Sequence, residues 1–365
     1  MQGERNEWRL GRRPALDGLR GVAILLVLAR HGGLPLQSAG SVGVALFFGL
    51  SGFLITELLL EEYERNGTIS LRAFYVRRVR RLLPALLVSI AAIAVAGVFL
   101  GPLFFTWQMA AAALLYVGNW VLVSGKNLAS LTHTWSLAVE EQFYLAWPLV
   151  VLLVARRGRR AVMIVAGIGI AAALTWFVWA VAVGAPWYRI YFSSEAAALP
   201  LLTGAATAAW MGRRARPAMK SPLRHVGWGL IVVGAALPEL ATVTVTPITT
   251  ALAVALVLPA AASSRALLLE SRALRWFGKR SYSIYLWNGA FAYWLREVWH
   301  WPWWGMLLMV VPAGVLLGAA SYRWIEMPFT RRSKPQRIDQ TGTADGRRAV
   351  PSAALTRATT VQDRP

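Results

Sequence analysis

The feature that most constrains this chain is a series of apolar runs, each bounded by charge, Gly or Pro. They fall at residues 16–36, 41–60, 82–103, 106–123, 134–155, 161–183, 194–211, 225–241, 245–262, 281–298 and 303–324. At about 17 to 25 residues they have the length a helix needs to cross a hydrocarbon core of roughly 30 Å. Only 15% of the residues are charged and 57% are hydrophobic, far too little charge to cover a soluble domain. The expected fold class is all-α: a polytopic transmembrane helical bundle.

The formal charge of +21 would point to nucleic acid in a soluble protein. Here the basic residues cluster between the apolar runs, at 5–13, 77–81, 156–160, 213–224, 265–280 and 331–337, which is the positive-inside pattern, so no nucleic-acid partner is expected. If all six clusters are cytoplasmic, an even number of crossings separates each neighbouring pair. Only 82–155, with three candidates, breaks this parity. The weakest of the three, 106–123, carries Gln108, Gly118 and Asn119 and precedes a polar stretch; it reads as a re-entrant or interfacial segment. About ten crossings remain, with both termini cytoplasmic. Residues 1–15 form a cytoplasmic N-terminal segment, 16–330 the membrane domain and 331–365 a polar tail expected to be disordered. Arg12, Arg13 and Arg20 precede an apolar stretch without a small-x-small site, so the first helix is expected to be a retained anchor. The stretch from Trp299 to Trp304 has the composition of an interfacial aromatic belt. With no Cys, disulfides, thiolate metal sites and a cysteinyl-acyl intermediate are excluded. No metal and no permanently bound cofactor is expected.

Charged groups inside apolar spans are costly and are functional candidates by default. Arg20 and His31 are eleven residues apart, about three turns plus 20°, so they share a helix face about 16 Å apart along the axis. With the N-terminus inside, an anionic cofactor held at Arg20 reaches His31 only through a long flexible arm, as the phosphopantetheine of CoA would. The competing account makes Arg20 one more topogenic charge and His31 a helix-end residue bonded to a carbonyl. Arg77, Arg78, Arg80 and Arg81, read as lying directly before the third helix, are placed to clamp phosphates or to touch anionic lipid. A third element runs from His133 and Thr134 through Glu140 and Glu141 to Tyr144. Counted inward from Thr134, the glutamates lie roughly 9 to 11 Å below the outer surface; counted from Gly18, His31 lies about 20 Å above the inner one. Across roughly 30 Å those depths coincide, and a carboxylate there would orient His31 as a general base. Alternatively the glutamates pair with Arg residues or cap the re-entrant segment.

Weaker signals are Phe48 to Phe53, whose glycines serve close approach to a ligand or helix packing; Glu195, facing an acceptor or capping its helix; and Gly278 to Ser283, which reads as a helix start with amides free for phosphate.

Taken together, the motifs resemble those of the acyltransferase family 3 membrane enzymes, which O-acylate surface polysaccharides, peptidoglycan, lipids and some secreted antibiotics. The matching pieces are Leu16-Asp17-Gly18-Leu19-Arg20-Gly21 with His31, the stretch Val44 to Leu54, the Arg77 to Arg81 run, Trp135 to Tyr144, Ser281-Tyr282-Ser283-Ile284-Tyr285-Leu286-Trp287 and Arg323-Trp324-Ile325-Glu326-Met327-Pro328. The resemblance implies that Arg20 and His31 are the functionally essential Arg and His of the first helix. Asn288 stands where the family commonly places a His, and an Asn cannot titrate. No further domain is expected after the last helix.

The expected activity is transfer of an acyl group, acetyl first among them, from cytoplasmic acyl-CoA to a hydroxyl of a carbohydrate-containing acceptor at the plasma (inner) membrane. Arg20, Arg77, Arg78, Arg80 and Arg81 would hold CoA, and His31 with Glu140 or Glu141 would deprotonate the hydroxyl. A variant acylates His31 itself. A transporter or flippase, with the same ionisable residues lining its path, is the alternative from another class.

Overall fold

The computed structural model describes residues 13–331, apart from 103, 213–222, 264–265, 294 and 297–299. The basic clusters at 5–13, 213–224 and 331–337 and the polar tail lie wholly or largely outside these. All regular structure among the described residues is helical. In chain order the helices are α1 (Pro14–His31), α2 (Ala39–Asn66), α3 (Leu71–Leu100), α4 (Trp107–Leu114), α5 (Gly118–Val123), α6 (Trp135–Val154), α7 (Arg159–Ala182), α8 (Trp187–Tyr191), α9 (Ser194–Met211), α10 (Leu223–Ala236), α11 (Glu239–Thr244), α12 (Thr246–Ser263), α13 (Arg272–Tyr293), α14 (Trp303–Ser321) and α15 (Met327–Arg331). A 3₁₀ turn, Ala129–Thr134, leads into α6, and a π turn, Tyr322–Glu326, joins α14 to α15.

Five helical stretches are long and apolar enough to cross a membrane: Ala39–Asn66, Leu71–Leu100, Ala129–Arg157, Arg159–Ala182 and Trp303–Thr330. The chain is a membrane protein. Leu145, Leu153, Ile168, Leu308 and Leu316 are exposed on these stretches, as side chains in lipid contact would be.

Two expected boundaries are corrected. The Arg run is not ahead of the third helix but inside it: Ser70 caps α3 by accepting from the Ala73 amide at 3.4 Å, and the straight-chain arginines that follow are good helix formers. Gly278 is likewise inside α13, six residues past its start, so its amide is not free for phosphate. The segment 106–123 does break, into α4 and α5, and so spans nothing.

Helix pairs meet through small residues. A Cβ on Gly21 would lie 2.1 Å from the Leu274 carbonyl oxygen, and one on Gly278 would lie 1.7 Å from that of Asp17. Further along both helices His31 meets Asn288, so α1 and α13 run side by side in the same direction. Likewise Gly52 faces the Leu201 carbonyl and Gly204 that of Gly49, which locks α2 to α9 and assigns the Phe48 to Phe53 glycines to packing. Arg20, Arg78, Arg81 and Arg159 gather toward one end of the bundle, called here the basic end. There Arg159 bridges Glu57 at 2.7 Å and Glu64 at 2.7 Å, with the Glu57 side chain wholly buried. His31 lies toward the far end.

Candidate active site

At the basic end α1, α2, α3, α6 and α13 enclose a cleft with about 730 Å³ of space, its open mouth included. Arg20, Arg78, Arg81, Glu140, Glu141, Tyr144 and Tyr282 line it. Helical spacing explains which arginines of the run arrive: Arg78 and Arg81, three residues apart, share a face. Arg80 is exposed, and Arg77 turns to Glu62 at 3.6 Å. The Arg78 guanidinium lies 3.9 Å from the centre of the Tyr144 ring. Arg81 Nε is 3.7 Å from Glu326 Oε1, and Glu326 in turn accepts from Ser283 Oγ at 2.9 Å. Arg20 makes no hydrogen bond or ion pair with the described residues, and its Nε is buried. A half-buried guanidinium with its Nε sealed off and unsatisfied is costly unless an anion joins it, and the cleft offers room for one.

Toward the far end a larger chamber, with about 1390 Å³ of space including its mouth, is lined by Arg30, His31, Ser41, His133, Trp135, Tyr285 and Arg296, among others. His31 ends α1, and its Nδ1 is hydrogen-bonded to Asn288 Oδ1 on α13. Val44 and Tyr285 belong to the walls of both spaces. Tyr285 donates to the His133 carbonyl at 2.8 Å and pairs with Ser136 Oγ at 2.7 Å, forming a partition between them.

The expected meeting of His31 with Glu140 or Glu141 does not occur. Glu140 accepts from Ser51 Oγ at 2.9 Å and lies in the field of Arg20 and Arg78; Glu141 shares its cleft. The depth count failed at its origin. The 3₁₀ turn before α6 is folded into the bundle, with His133 packed on Gly289 and lining the His31 chamber. Helix α6 thus starts near the level of His31, and Glu140, five residues past its start and about 7.5 Å nearer the basic end, lines the cleft that Arg20 also lines.

Residues 13–323 match the family described as an acyltransferase domain. The chain belongs to this family. It is 31% identical to the peptidoglycan O-acetyltransferase OatA of Listeria monocytogenes serovar 1/2a, over 87% of this chain and 56% of OatA. It is also 31% identical to YrhL of Bacillus subtilis, over 87% of this chain and 54% of that protein. The chain thus spans about half the length of the curated relatives it matches. No solved structure matches it.

Within this acyltransferase domain, several groups at the two spaces were not singled out from sequence. Ser51, Ser136, Tyr144 and Tyr285 lie inside the matching motifs but carry no charge, so nothing in an apolar run assigns them a role. Glu326 did carry a signal, a lone carboxylate at the end of an apolar run, and the π turn directs it to Arg81. Glu195 faces neither space: its Oε1 is 2.9 Å from Arg189 Nη2, and Arg189 also lies over the Trp176 ring at 4.7 Å.

Proposed function

We propose that the chain is a membrane-embedded O-acyltransferase that moves an acetyl group from acetyl-CoA, bound at the basic end, to a carbohydrate hydroxyl in the His31 chamber. The observation that carries this is Arg20 on the wall of the basic cleft, its Nε buried and without a hydrogen bond from the described residues, with Arg78 and Arg81 lining the same space. Three guanidiniums converging on one space suit phosphate oxygens, which they grip with paired N–H groups. Eleven residues of α1, about 16 Å, separate that site from His31, so an anchored donor needs a long arm. In CoA the pantetheine supplies it.

The charge pattern supports a cytoplasmic basic end. On this reading the helices α1, α2, α3, α6, α7, α9, α10, α12, α13 and α14 cross the plasma membrane, with α4 and α5 re-entrant and both termini inside. The donor enters from the cytoplasm and the acceptor from the far side. For the two to meet, the thioester passes the Tyr285 and Val44 partition. His31 Nε2 takes the proton from the acceptor hydroxyl, and the oxygen attacks the thioester carbonyl. The carbon–sulfur bond breaks, and the proton returns to the CoA thiolate. Glu140 and Glu141, remote from this step, balance the guanidiniums of the donor cleft. The names of the relatives support an acetyl donor and a glycan acceptor.

Purified protein given acetyl-CoA and de-O-acetylated peptidoglycan fragments is expected to release free thiol and add the mass of an acetyl group to the glycan. His31→Ala is expected to abolish both. A transporter would release no thiol, and full activity in His31→Ala would remove the base from the mechanism.

A further inference from the structure

The residue opposite His31 is Asn288, and its surroundings define what it does. Asn288 is wholly buried. Its Nδ2 donates to the Val310 carbonyl at 3.2 Å, and its Oδ1 meets His31 Nδ1. Turning the amide over would set its oxygen against the Val310 carbonyl oxygen, two acceptors face to face, so the network fixes which atom points where. Packing holds it there as well: a Cβ at position 314 would come within 2.7 Å of Nδ2, and that position is Gly. An amide oxygen only accepts, so His31 Nδ1 must carry the proton.

We infer that Asn288 is a positioning residue that holds His31 in the Nδ1–H tautomer and so leaves Nε2 as the free lone pair. His31 makes no other hydrogen bond with the described residues. Free imidazole in water favours the opposite tautomer, with the proton on Nε2, which would present a donor where the acceptor hydroxyl needs a base. A carboxylate would fix the tautomer too, but would also favour the imidazolium, as does the helix end at His31. The amide orients the ring without adding charge. This inference rests on the reading of His31 as the base.

The test uses the full chain, labelled with ¹⁵N-histidine, in nanodiscs. The four histidines give few signals, and His31 is assigned by its loss in His31→Gln. The parent is expected to show the Nδ1–H tautomer. Asn288→Leu should convert it to Nε2–H and lower kcat about 10²- to 10⁴-fold, with KM for acetyl-CoA unchanged. Asn288→Asp keeps an acceptor for Nδ1–H and should restore the tautomer, while its charge favours the imidazolium and moves the rise of kcat to higher pH. An Nε2–H signal in the parent, or parental tautomer and kcat in Asn288→Leu, would overturn the inference. The parent spectrum decides even where a variant fails to fold. If His31→Gln is fully active, the base reading fails, and the tautomer still reports on Asn288 separately.

Discussion

Replacing Arg20 with Met separates a donor anchor from a structural charge. The guanidinium makes no hydrogen bond or ion pair with the described residues, so its worth lies in what it does for a bound anion. A charge-assisted hydrogen bond contributes about 1.5 to 3 kcal/mol, which corresponds to a rise of roughly 10- to 150-fold in KM for acetyl-CoA. Stability should hardly move: replacing this half-buried charge with an apolar side chain leaves thermal unfolding nearly unchanged, since Glu140 keeps its bond from Ser51 and the field of Arg78. Arg77→Ala and Arg80→Ala serve as controls. Both side chains are exposed, and KM should stay within about twofold. The assay is thiol release against acetyl-CoA concentration, alongside a melt of each variant without donor. A donor KM unaltered by Arg20→Met, or a marked loss of stability, would refute the reasoning.

Two other sites yield expectations of different kinds. Glu57→Ala leaves Arg159 largely buried, with Glu64 and the Ala208 carbonyl as its remaining partners; losing one side of a buried pair costs about 3 to 5 kcal/mol, so the melt should fall sharply while the donor KM of folded protein holds. Tyr285→Phe removes the hydroxyl that ties the partition to His133 and Ser136. Thiol release without acceptor should rise as water reaches the thioester.

How far the sequence could be read depended on whether a signal was local. Apolar runs report a helix directly, because burial in lipid demands both length and hydrophobicity, and the break in 106–123 was visible as Gln108, Gly118 and Asn119. The clefts are not local. Arg20 and His31 could be placed on one face from spacing alone, since they share a helix. Glu140 and His31 could not be related, because their offset depends on how deeply the 3₁₀ turn before α6 is folded in. The arginines of α3 illustrate the same limit: helical spacing separates Arg78 and Arg81 from Arg77 and Arg80 only once the run is known to be inside the helix. Asn288 stood out as a departure from the family pattern, yet its bond to His31 required α1 and α13 to run in parallel and in contact through Gly21 and Gly278.

The central claim is that donor and acceptor occupy opposite ends of one bundle, with His31 serving the acceptor. Proteoliposomes with the basic end facing outward, acetyl-CoA outside and de-O-acetylated glycan fragments sealed inside test it most directly. Acetylated glycan should accumulate within the vesicles, and His31→Ala should prevent it. Acetylated glycan formed only when donor and acceptor share a side, or formed equally by His31→Ala, would contradict the account.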